Sequence, residues 1–98
     1  VLIATWSEFG RRPKENASGG TDHGAAAPLL LIGDPVRSGL FGAEPSLTHL
    51  DSTGNLKYAV DFRSVYQEIV GGHLGADAND ILGGSFDRVD FLRAPVAV

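Results

Sequence analysis

The chain has 98 residues, 43% of them apolar, and a net charge of −4. That is enough for one small domain, and it excludes a broad basic face for nucleic acid or an anionic membrane. No cysteine is present, which removes a disulfide framework and thiolate metal sites, and no apolar run approaches the roughly 20 residues of a membrane helix.

Val1 to Trp6 is apolar at nearly every position and rich in β-formers. It does not alternate, so it predicts a strand covered on both faces, as in a parallel sheet flanked by helices, with Trp6 in the core. Pro28 to Gly33 predicts a second strand of the same kind, bounded by its proline and glycine. Two such strands need neighbours beside them and helices above and below. The chain also lacks methionine and starts within an apolar run. It therefore reads as a single partial domain, residues 1–98 of a larger α/β fold, with any targeting segment upstream.

Residues 34 to 56 are punctuated by Asp34-Pro35, Gly39, Gly42, Pro45 and Ser52-Thr53-Gly54-Asn55, which predicts loops with one short strand. Asp61 to Leu74 predicts a helix, with Phe62, Val65, Tyr66, Ile69, Val70 and Leu74 on its apolar face. Asp61 is its expected N-cap, and Gly75 suits its left-handed C-terminal cap. A second short helical turn is expected from Asp77 through Leu82, before Gly83-Gly84.

The polar stretch between the two apolar strands, residues 7 to 28, holds the candidate chemistry. Asp22 and His23 carry the oxygen and nitrogen donors that zinc, manganese or iron take. Gly19, Gly20 and Gly24 around them permit sharp turns. Adjacent side chains point to opposite faces of a strand, so both bind one ion only if they lie in a loop. The blander alternative is that Asp22 caps a turn and His23 donates one hydrogen bond. Glu8 follows the first strand, where open α/β sheets bind ligands; its alternative is a surface ion pair with Arg11 or Arg12. Arg11, Arg12 and Lys14 carry charge for a phosphate or sulfate ester, the arginines through a planar fork; the alternative is a solvated charge cluster in a loop. His49 and His73 are given no catalytic role.

Ser7-Glu8-Phe9-Gly10-Arg11, Gly20-Thr21-Asp22-His23-Gly24 and the leucine strand ending at Gly33 occur in this order, followed by Asp61-Phe62-Arg63-Ser64-Val65-Tyr66, Leu74-Gly75-Ala76-Asp77 and Leu82-Gly83-Gly84. Together they resemble the C-terminal part of the bacterial family called domain of unknown function 1501, grouped with the alkaline-phosphatase-like superfamily. The resemblance implies a fragment of an α/β sandwich, its mostly parallel sheet flanked by helices, within an exported or periplasmic protein. It implies a metal-dependent phosphate or sulfate ester hydrolase whose nucleophile lies outside this chain, so that the fragment alone is inactive. His23, Glu8 and Asp22 would then hold a divalent metal (zinc, manganese or calcium), and Arg11 would face a small anionic ester or glycan. Phe9 stands where the superfamily pattern has a metal-binding histidine. That departure keeps open a single-metal site, a ligand set using Asp22, and a non-catalytic ligand- or protein-binding member with a degenerate site. A second alignment makes Asp22-His23-Gly24 itself the metal motif. The remainder of the parent domain is an expected partner; nucleic acid is not.

Overall fold

The structure, a computed structural model, describes residues 1–93. It is a small α/β arrangement with two two-stranded sheets, β1 (Ile3–Ala4) with β4 (Leu31–Ile32) and β2 (Gly10–Glu15) with β3 (Thr21–Gly24). The helical elements are α1 (Phe62–Gln67), a π-helical turn (Glu68–His73) and α2 (Ala78–Leu82). Among the described residues no helix is long and apolar enough to cross a membrane. The chain divides into two compact units. One gathers Val1–Ile3, Leu31–Gly42 and the described residues 60–93; the other gathers Ala4–Leu30 and Ala43–Ala59.

In the helical unit, the Asp61 side chain accepts from the Arg63 N–H and starts α1. Its carboxyl is held down at about 2, chiefly by the hydrogen bond from the Arg63 side chain, then by the Arg63 N–H. The helix then widens. The Leu74 N–H reaches back five residues to the Ile69 carbonyl at 2.9 Å, and the Ala76 N–H caps Val70 at 2.9 Å. Gly72 lies in the widened turn, where a Cβ would come within 2.7 Å of Leu92 Cδ1. Gly75 closes the helix at φ 68°, as its sequence position predicts. Asp77 caps α2 through the Asp80 N–H, and Gly83 ends it at φ 74°.

The buried face of the helix differs from the predicted one. Ser64, Val65 and Glu68 point inward, whereas Phe62 is 60% exposed and Leu74 66% exposed. The reason is what covers the helix. Residues 86–93 run alongside it, and Phe91, with no exposed surface, fills the centre. Gln67 donates its amide to the Phe86 carbonyl at 2.9 Å and accepts from the Phe86 N–H at 2.8 Å. The Glu68 carboxylate accepts from the N–H groups of Asp90 and Phe91. These polar partners draw the Gln67–Glu68 side of the helix inward. In the 34–56 stretch the expected short strand is an isolated antiparallel bridge, Val36 to Leu92.

The two apolar runs do form strands, but not parallel ones. Gly33 at φ 146° leaves no room for a Cβ against the Val1 carbonyl. Further along, the Thr5 N–H donates to the Leu30 carbonyl at 3.0 Å, and the Leu30 N–H to Thr5 Oγ1 at 2.9 Å. Low numbers therefore meet high ones, and β1 and β4 run antiparallel. Nor are these strands covered on both faces. Ile3, Leu30 and Ile32 are exposed, and Trp6, expected in the core, is 75% exposed. A pair of strands with no third neighbour among the described residues has nothing to bury those side chains against.

Candidate functional site

The polar stretch that reads as a loop is a β-hairpin. β2 pairs antiparallel with β3 through Gly10↔Gly24, Arg11↔His23 and Glu15↔Thr21. Between the last two pairs β2 has three residues, Arg12, Pro13 and Lys14, against Asp22 alone on β3, an irregularity that spans Pro13, which has no N–H to give the ladder. Asn16 builds the turn. Its side-chain oxygen accepts from the N–H groups of Ser18 and Gly20, both at 3.0 Å, and its backbone N–H donates to the Gly20 carbonyl at 2.7 Å. Gly19 supplies the left-handed residue at φ 78°. Gly10 is buried, and a Cβ there would overlap the Ala26 carbonyl, so the backbone of residues 26–27 packs directly on the start of β2.

This pairing settles where the candidate side chains lie. Arg11 and His23 are opposite one another, so they share a face of the hairpin. Phe9 stacks on the His23 ring, centroids 3.7 Å apart and planes 12° apart. The Arg11 guanidinium lies over the same phenyl ring, 5.4 Å from its centroid, and is fixed by Nη1 donating to the Thr21 carbonyl at 2.6 Å. Such contacts contribute about 0.5–1 kcal/mol each at exposed sites. Ser7 shapes the approach, its hydroxyl donating to the Phe9 carbonyl at 2.8 Å. Phe9, Gly10 and Arg11 then line a shallow, open groove with Ser7, Ala26, Ala27, Pro28 and Leu56.

Asp22 follows strand alternation to the other side, where it accepts from the Asn16 amide at 3.1 Å. Glu8 is exposed in the bend before Phe9. Among the described residues no three carboxylate or imidazole groups gather to hold a metal ion. His23, Glu8 and Asp22 are thus not brought together in this arrangement. Phe9, which sequence reading treats as the loss of a ligand, is instead the ring on which His23 and Arg11 meet. Its alternation with Arg11 across Gly10 was the available signal, legible only once the stretch is known to be a strand. The contribution of Leu56, more than forty residues from Pro13, had no local signal.

Arg12 is half-buried, and its Nε is enclosed without a hydrogen-bond acceptor among the described residues. His49 is engaged elsewhere, its Nε2 3.0 Å from the Lys57 ammonium. Beside it, Asp51 organises a turn by accepting from the N–H groups of Thr53 and Asn55, both at 2.9 Å. Its carboxyl is lowered to about 2, the Asn55 N–H being the largest cause.

Residues 1–84 match the model of a family described as "Protein of unknown function (DUF1501)". No curated protein and no solved structure matches the chain.

Proposed function

The chain belongs to the DUF1501 family of proteins of unknown function, and from that premise we propose that it forms one wall of a binding site for a small anionic ester or glycan. It would do so as part of a larger exported α/β domain of the alkaline-phosphatase-like kind, without itself catalysing a reaction. The observation that carries this reading is the Phe9–His23 stack flanked by Arg11. The stack gives a flat apolar surface, and Arg11 keeps guanidinium donors beyond the one bound to Thr21 for an anion. The exposed strands β1 and β4 support the larger domain, since further strands and helices would cover Ile3, Trp6 and Ile32.

A second reading is favoured by one feature of the same stack. Phe9 covers a face of the imidazole, while ring nitrogens bind metals at the ring edge. His23 would then be one ligand of a divalent ion in a phosphate or sulfate ester hydrolase. Exposed Glu8 and Asp22 could join it only after rearrangement, and other donors would come from the rest of the protein.

The two readings separate in one experiment on the full-length parent protein, wild type beside His23→Ala and Arg11→Ala. Metal content is measured by elemental mass spectrometry and phenyl phosphate binding by calorimetry. The binding reading expects no stoichiometric metal, and phenyl phosphate affinity at least several-fold weaker in both variants. Stoichiometric metal that disappears in His23→Ala replaces it with the hydrolase reading.

A further inference from the structure

Residues 38–45 carry no regular secondary structure, and all of them are exposed. None of them donates or accepts a hydrogen bond among the described residues. Bonding resumes on either side. The Arg37 N–H donates to the Phe91 carbonyl at 2.8 Å, and Ser46 Oγ accepts from the N–H groups of Thr48 at 3.2 Å and His49 at 2.9 Å. Within the stretch Leu40 is fully exposed. Gly39 and Gly42 flank the Leu40-Phe41 pair at φ 137° and 89°, conformations that glycine takes readily. The Phe41 ring lies only against the Arg37 guanidinium, 5.6 Å from its centroid, and is 37% exposed. Glu44 is the one charged residue between Arg37 and His49.

A protease draws several consecutive residues into an extended strand along its own backbone before it cuts, so the bonds that a segment must first give up decide where cleavage falls. Residues 38–45 have none to give up. Exposed apolar residues elsewhere are tied locally. Trp6 follows Thr5, whose N–H bonds the Leu30 carbonyl. Phe62, Leu74 and Ile81 belong to the helical turns or their caps, and Leu47 lies inside the Ser46 turn. Tyr58 sits in a short stretch between the Asp51–Asn55 turn and the Asp61 cap. The chain also passes from one compact unit to the other between Gly42 and Ala43, and exposed links between compact units are preferred sites of nicking.

We propose that this link is a cleavage site for an endoprotease with an apolar specificity pocket, cut on the carboxyl side of Leu40 or Phe41, and that the cut chain stays assembled. Water adds its hydroxyl to the carbonyl carbon and its hydrogen to the departing nitrogen, which leaves one new carboxylate and one new amino terminus. The pieces stay together because residues 35–37, before the cut, are bonded to residues 90–93, after it. Val36 bridges Leu92, the Arg93 N–H donates to the Pro35 carbonyl at 2.7 Å, and the Arg37 N–H donates to the Phe91 carbonyl. Arg37 adds an ion pair to Asp90 at 3.6 Å. Phe91 itself is fully buried, so separating the pieces would strip cover from the centre of the helical unit. The inference does not depend on the ligand reading above.

The test is limited digestion of the folded chain with chymotrypsin at a low ratio of protease, stopped at intervals. Intact mass locates the cut, and gel filtration with circular dichroism reports assembly. The expected first internal cut follows Leu40 or Phe41 and gives one pair of fragments whose masses sum to that of the chain plus one water. The pair elutes together at the position of the uncut chain with its helical signal kept. A chain carrying Leu40→Ser and Phe41→Ser should be cut there several-fold more slowly. A first internal cut elsewhere overturns the site, and so does undiminished cleavage of the double variant. Fragments that separate without denaturant overturn the assembly. Should Phe41→Ser disturb Arg37 and the fold with it, the single variant Leu40→Ser and the position of the cut in the unaltered chain still decide.

Discussion

The hairpin and the strap formed by residues 86–93 are held by opposite means. In the hairpin, Arg11 bonds Thr21, Asn16 bonds Ser18, Gly20 and Asp22, and Phe9 stacks on His23, all within fifteen residues of sequence. Most of its side chains remain in solvent. The strap is bound by residues far away in sequence, Gln67 to Phe86, Glu68 to Asp90 and Arg37 to Phe91, and it encloses Phe91 completely. Local turn chemistry can present side chains without burying them. Long-range burial stabilises more, and it leaves little surface for a ligand. The candidate site accordingly lies on the hairpin, and the firmest packing lies under the strap.

Removing the anchor should have the largest effect. Phe91→Ala empties the centre of the helical unit and is expected to cost about 3–5 kcal/mol, read by urea unfolding monitored at the helical circular dichroism band. A loss below about 1 kcal/mol would erase the contrast between the two regions. Glu68→Ala comes next. It strips the Asp90 and Phe91 N–H groups of their acceptor, at about 1–3 kcal/mol for a buried donor left unpaired, and should expose Arg88 and Arg93 to trypsin. Gly10→Ala tests the hairpin: its new methyl meets the Ala26 carbonyl, and overpacking of this kind costs about 1–3 kcal/mol. Amide exchange should quicken in residues 10–24 and stay unchanged in 62–73.

The smallest effect is on pH. Asp61 titrates at about 2 in the folded chain against an ordinary 3.8. A depressed carboxylate contributes stability that is fully present above its unfolded value and lost as pH falls through its folded one. Helicity should therefore decline as pH falls from about 3.8 towards 2, and Asp61→Asn should flatten that decline. Asp51, lowered to about 2 chiefly by the Asn55 N–H, adds a loss of the same sign in the 51–55 turn.

Helix caps and glycine turns were legible in the sequence because their causes are local. Asp61, Asp77, Gly75 and Gly83 each act within one turn of their own position. The hairpin was not legible. Pro13 interrupts β2, the stretch is polar, and its turn rests on Asn16 bonding Gly20, none of which leaves an apolar alternation to detect. Of the predicted inward face Val65 is buried, but Phe62 and Leu74, which hydrophobic periodicity selects, are exposed, and the half-buried Gln67 and buried Glu68 were missed because their partners lie some twenty residues away. The parallel sheet expected of β1 and β4 followed from their uniform apolarity, a pattern that an exposed antiparallel pair carries here. Of the site, the sequence indicated Arg11 and His23 but not Phe9 as the ring that joins them.

The most direct test of the hairpin as a ligand wall is amide and His23 ring chemical-shift mapping of the isotope-labelled chain during titration with phenyl phosphate. The expected result is saturable shifts at residues 9–11, at the His23 ring and at residues 26–28, with residues 62–73 unmoved. Absence of shifts at the Phe9–His23–Arg11 cluster, or shifts centred on the helix and strap instead, would contradict it.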